Sequence, residues 1–280
     1  MAEVADPPVG NRIRRWLRLY VALHGASLRG ALQYRANTFL MMLVGIVYQG
    51  SGLASLWVVL HAFDSLGGWT MSSVAFLYGI RLLAHALSLV IVGGNVMLDE
   101  TVRTGEFDRI LLRPWNPLML SITSRRGLEW VGDLSVGIIT FGAAAVIAPV
   151  DWSLVQALFC VLAVVGGACI EAAFGVLASS LAFRVVDTWA IRWFVDDTVT
   201  TLATYPQGIF SAGAQRVLTY AIPVAFIAYL PSSVLLDREG RLAVPATLAY
   251  LSPVVGVGLF ALATAVWHRS VRWYASAGGA

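Results

Sequence analysis

The chain has 280 residues, 58% of them hydrophobic and only 12% charged, with a formal net charge of +3. A soluble domain carries roughly a quarter of charged residues, so this balance excludes an ordinary water-soluble globule and points to an integral membrane protein. All nineteen basic residues are Arg, with no Lys, which excludes chemistry that needs a lysine, the phosphate-binding P-loop included.

Helices satisfy their own backbone polar groups in lipid, so the fold class is all-α. The first element is an amphipathic interface helix over 11–34. Ile13, Trp16, Leu17, Tyr20 and Val21 recur at helical spacing, while Arg12, Arg14, Arg15 and Arg18 fall on the other side, suited to anionic headgroups. A secretory signal is the alternative reading, but Arg18 interrupts the apolar run and no cleavage-site pattern follows.

Six apolar runs then read as transmembrane helices: 37–62, 71–97, 127–149, 154–182, 188–207 and 244–267. Each is long enough, at about 20 residues or more, to cross the hydrocarbon layer. Cys160 and Cys169 lie in one run, about 13 Å apart along a helix axis, too far for a disulfide. The four histidines are scattered singly, so no metal site is expected.

Between the last two runs, 208–240 is apolar in "YAIPVAFIAYLPSSVLL" but broken by Pro223 and Pro231. Broken backbone at membrane depth needs cover from protein or water, which predicts a re-entrant helical hairpin; a kinked seventh span is the alternative. The whole chain, 1–280, reads as a single transmembrane domain.

Fifteen of the nineteen arginines fall in 1–36, 98–126, 183–193 and the tail after 267. Positive residues stay on the cytoplasmic side, so both termini and the 98–126 loop are expected there, with the 208–240 hairpin facing outward.

Ionisable side chains within spans are functional candidates by default. Arg81, His85, Ser88 and Asn95 share one face of the second span, with Tyr78 one turn earlier. They line a translocation path or form an inter-helix ion pair, for which Asp196 or Asp197 in the fifth span is the natural partner. Asp133 in the third span and Glu171 in the fourth join them as candidates, Glu171 with no evident local partner. Glu129 is expected to pair with Arg125 one turn away.

The 98–126 loop contains "RTGEFDRILLRPWNP". Thr104 is placed to cap a helix ending at Arg113, before Pro114. Phe107, Ile110 and Leu111 would share one face, with Glu106, Arg109 and Arg113 opposite. An apolar ridge with a charged rim fits a cytoplasmic protein partner, and equally fits a helix lying on lipid or capping its own bundle.

Three passages carry a resemblance. "TGEFDRILLRPWNPL" resembles the loop after the second membrane helix of six-helix ABC-2 type permeases, in a Gly-x-Phe-Asp-x-x-Leu-Leu-Arg-Pro pattern matched by Gly105, Phe107, Asp108, Leu112, Arg113, Pro114 and Pro117. "YPQGIF" followed by "IPVAFIAYLP" resembles the family's outward-facing segment, on Pro206, Ile209, Phe210, Pro223 and Pro231. "RWYASAGG" resembles its tail, on Arg272, Tyr274, Ser276 and Ala277.

The resemblance implies a permease subunit of an ATP-driven exporter of an amphipathic or hydrophobic compound. It would not be an enzyme by itself. Its loop would be a coupling helix docking into a separate nucleotide-binding subunit, with Phe107, Ile110 and Leu111 as anchors and Arg109 and Arg113 at the rim. It further implies two ATPase subunits, with ATP and magnesium bound there, and a second permease chain, in a bacterial cell membrane. Pro206, Phe210, Pro223 and Pro231 would build an outward gate. No nucleic acid is expected among its partners. An ion-coupled carrier using the intramembrane Arg, His, Asp and Glu residues is the alternative function.

Overall fold

The computed structural model describes residues 9–63, 65–93, 98–123, 129–185, 187–237 and 242–275. Among the described residues every regular element is helical, apart from an isolated bridge between Leu66 and Trp69. Helix α1 (Val9–Gln33) meets α2 (Arg35–Phe63) at a bend at Tyr34, where the Thr38 hydroxyl donates to the Ala31 carbonyl at 2.7 Å. Helices α3 (Met71–Val92), α7 (Glu129–Ile147), α8 (Leu154–Ser180) and α12 (Ser252–Ser270) complete the long elements. Short helices α4 (Leu98–Arg103), α5 (Glu106–Leu111) and α6 (Pro117–Thr123) fill the connection between α3 and α7.

Among the described residues, five helical stretches are long and apolar enough to cross a membrane: Arg35–Ala62, Met71–Val92, Trp130–Ile147, Leu154–Phe183 and Ala246–Trp273. The expected fifth span is helix α9, Trp189–Thr204, with 16 residues. At 1.5 Å per residue it is about 24 Å long, short of the roughly 30 Å hydrocarbon layer. Asp187 accepts from the Trp189 amide at its start, and Tyr205 turns extended before Pro206 at its end.

The helices pack through small residues. A Cβ on Gly256 of α12 would collide with the Gly166 carbonyl of α8, and one on Gly79 of α3 would strike the backbone of Phe141 in α7. Such contacts let backbones approach, which matters where lipid gives no hydrophobic force between helices. A Ser153 capping box opens α8: Gln156 N–H donates to the Ser153 hydroxyl and Ser153 N–H to Gln156 Oε1.

The bundle has two apolar cores. One gathers Trp69, Phe76, Ile80, Phe159 and the stretch 224–230; the other gathers Val92, Phe107, Ile122, Val176, Phe183 and Trp267. The first core lies at the turn end, where 65–70, 148–153 and 205–251 collect. The second lies at the loop end with α4–α6. Along α8 the change from one core to the other falls between Ile170 and Ala172, at Glu171.

Residues 208–237 form a chain of short pieces: α10 (Ala212–Tyr220), a 3-10 turn at Pro223–Phe226, and α11 (Tyr229–Leu235). It reaches inward, since a Cβ on Gly167 would meet the Ile227 carbonyl and the Ala84 side chain. Gly167 lies halfway along α8, so protein covers this broken backbone.

Candidate functional site

Arg81, His85 and Ser88 follow one another at one-turn spacing on α3 and face α8. The Arg81 side chain is only 1% exposed, and its Nε lies 3.9 Å from Glu171 Oε1. Its Nη1 donates to Gln49 Oε1 on α2 at 3.3 Å and its Nη2 to the Thr200 hydroxyl on α9 at 2.9 Å. His85 Nδ1 lies 2.8 Å from Glu171 Oε2, which Ser88 also approaches at 3.5 Å. Four helices thus converge on one guanidinium.

This corrects the expected pairing. The ion partner of Arg81 is Glu171, not Asp196 or Asp197. The reason is geometric: α8 packs closely along α3, whereas α9 touches α3 lightly and offers Thr200 there. Asp196 lies on the wall of a cavity of about 50 Å³, with His85, Ser88, Glu171, Arg192 and Thr200. Asp197 is exposed and outside that wall. Asp133 is buried in α7, within electrostatic reach of Arg81, His85 and Glu171.

Gln49, Thr200 and Arg192 were not among the expected residues. Gln49 carried a signal, as a primary amide in the middle of an apolar span; Thr200 and Arg192 carried little. Asn95, Arg125, Ser276 and Ala277 lie outside the described residues, as does the side chain of Glu129.

At the loop end, Gly105 takes a left-handed conformation, φ +72°, as the N-cap of α5, which a residue with a Cβ adopts only at a cost. Thr104 is not that cap. Its hydroxyl donates back to the Glu100 carbonyl at 2.8 Å and closes α4.

Phe107 is fully buried among Tyr274, Phe183 and Trp267, with ring centroids 4.9, 5.1 and 6.3 Å away. It anchors the loop to the ends of α8 and α12 of its own chain, so it is not a surface anchor. Ile110 is half-buried against the same core. The expected face is split: Phe107 and Ile110 turn inward, while Leu111 stays outside. The exposed residues are Arg109, Leu111, Leu112, Arg113, Pro114 and Trp115, with Leu112 84% exposed. Asp108 is half-buried. Asn116 then caps α6, accepting from the Leu118 amide at 2.9 Å.

At the turn end, Pro206 and Pro231 are buried, while Pro223 and Phe210 are half-buried. Gly67, at φ +60°, brings the 65–70 turn against Ile209, and Trp69 packs on Tyr229 with centroids 5.7 Å apart. Gln207 is fully buried with neither amide atom hydrogen-bonded to a protein group.

Among the described residues, no cluster of three His, Cys, Asp or Glu side chains is placed to hold a metal ion. Compared with models of known families, residues 46–278 match the ABC-2 family transporter protein. No curated protein and no solved structure matches.

Proposed function

The chain belongs to the ABC-2 transporter family, and from that premise we propose that this membrane permease works as an exporter driven by a separate nucleotide-binding subunit. One observation carries the coupling: α5 is keyed into the ends of α8 and α12 by Phe107, while Leu112 and its neighbours project from the opposite side. A push on the exposed side is transmitted through a packed aromatic contact to two spans, because close-packed side chains transmit displacement. Arg109 and Arg113 form the charged rim. ATP and magnesium bind on the partner, two such subunits per complex, and the loop end is cytoplasmic with both termini.

The remaining membrane crossing, fifth in chain order, is α9. Trp193, Phe194 and Asp197 are exposed on α9, and a carboxylate at membrane depth needs cover. A second permease chain laid against α9 supplies it. The 205–236 segment is the outward gate, a re-entrant hairpin whose deepest part abuts the middle of α8. Between α2, α3 and α7, near the turn end, an apolar groove of about 850 Å³ is lined by Leu53, Trp57, Met71 and Ile139. Its size and lining suit an amphipathic or hydrophobic cargo.

The test is co-purification and ATP hydrolysis from the native membrane with two variants. Leu112→Asp should leave the permease folded and remove the ATPase subunit. Phe107→Ala should lower stability, because it opens a cavity in the chain's own core, by about 3–5 kcal/mol. Retention of the ATPase by Leu112→Asp at wild-type levels would sink the docking role of the exposed face. No ATPase with the unaltered protein would sink the coupled reading, and favour the ion-coupled carrier.

A further inference from the structure

His85 Nδ1 faces a carboxylate oxygen of Glu171 at 2.8 Å. An ionised carboxylate only accepts, so Nδ1 carries the hydrogen and Nε2 is the nitrogen left to bind a proton. The ring borders the cavity of about 50 Å³, which runs from Thr200 and Glu171 towards Gly93, Ala178 and Arg192 at the loop end. That volume holds a few waters and is far below the several hundred Å³ of a drug-sized site. Cargo does not fit there; a proton carried by water does.

The charged groups facing His85 come from four helices. They are Arg81 on α3, Glu171 on α8, Asp133 on α7, and Arg192 and Asp196 on α9, with the Tyr78 phenol donating to the Gln49 carbonyl beyond Arg81. Glu171 Oε1 is buried and accepts no hydrogen bond, so the carboxylate is incompletely compensated by Arg81 at 3.9 Å.

We propose that His85, held by Glu171, is a proton-binding site of the transport path, loaded through the cavity from the loop end. A hydronium in the cavity gives its proton to Nε2 and leaves as water, and the ring becomes an imidazolium beside the Glu171 carboxylate; release is the reverse. Glu171 lies one helical turn from Gly167, against which Ile227 of the broken segment packs. Protonation thus changes the electrostatics beside the deepest part of that segment. The site itself stands on this geometry, while its part in the transport cycle rests on the permease reading.

The experiment is an NMR titration of full-length permease labelled with ¹⁵N-histidine in lipid nanodiscs, without any partner subunit. The His85 signals are assigned by their loss in His85→Gln. If that variant does not fold, they are assigned in a chain retaining only His85, with His24, His61 and His268 changed to Gln. The expected result is an Nδ1–H tautomer at the alkaline end of the titration that becomes the doubly protonated imidazolium as the sample is acidified. Glu171→Gln should remove the preference for the Nδ1–H tautomer, because a side-chain amide can offer Nδ1 either an oxygen or an N–H.

A ring that keeps one protonation state throughout the titration, or a tautomer unchanged by Glu171→Gln, overturns the proposal. Because no partner is present, a negative titration leaves the docking reading untouched. Failure of the ATPase to bind likewise leaves the titration intact.

Discussion

Arg81 is stabilised by its whole set of contacts, because a lone ion pair at 3.9 Å does not offset the desolvation of a guanidinium that is 1% exposed. Gln49 and Thr200 take the Nη protons that Glu171 does not reach. Removing one member therefore strands the others. Arg81→Ala is expected to lower stability by about 3–5 kcal/mol, from the uncompensated Glu171 charge. The double variant Arg81→Leu, Glu171→Leu should fall less than Arg81→Ala alone, since it removes both charges and keeps most of the volume. Thermal unfolding in detergent compares the two; a double variant as unstable as the single would refute the paired-charge account.

At the scale of the element, the loop between α3 and α7 depends on one backbone conformation. Gly105 at φ +72° lets α4 end and α5 begin at the angle that drives Phe107 into the aromatic cluster. Gly105→Ala should cost about 1–2 kcal/mol, the penalty of a Cβ in the left-handed region. It should also loosen α5, which hydrogen exchange at the amides of 106–112 would report as reduced protection. Unchanged exchange would mean the turn adapts without the glycine.

At the scale of the whole molecule, α9 exposes both large rings and carboxylates that its own chain leaves uncovered. Trp189, Trp193 and Phe194 are more than half exposed, and Asp196 and Asp197 are exposed beside them. If a second copy covers this face, a single cysteine replacing Trp193, in a chain with Cys160 and Cys169 changed to Ala, should form a disulfide-linked dimer on mild oxidation of native membranes. A cysteine replacing Val146 on α7, 86% exposed, should not. Equal cross-linking at both would remove the argument for α9 as the covered face.

Much of this was legible in the residues. Long apolar runs dictate helices because lipid offers the backbone no other partner, so α2, α3, α7 and α8 begin and end within a few residues of their expected limits. The motif passages place the chain among ABC-2 transporters because they depend on local residue order. What sequence could not decide were contacts between elements far apart in the chain. Periodicity grouped Phe107, Ile110 and Leu111 on one face, but only the approach of Phe183, Trp267 and Tyr274 turned Phe107 inward and left Leu112 outside. Charge alone offered Arg81 four carboxylates in three other helices. The close packing of α3 on α8 chose Glu171, because a buried ion pair is set by which backbones approach, and that is a property of the assembled bundle.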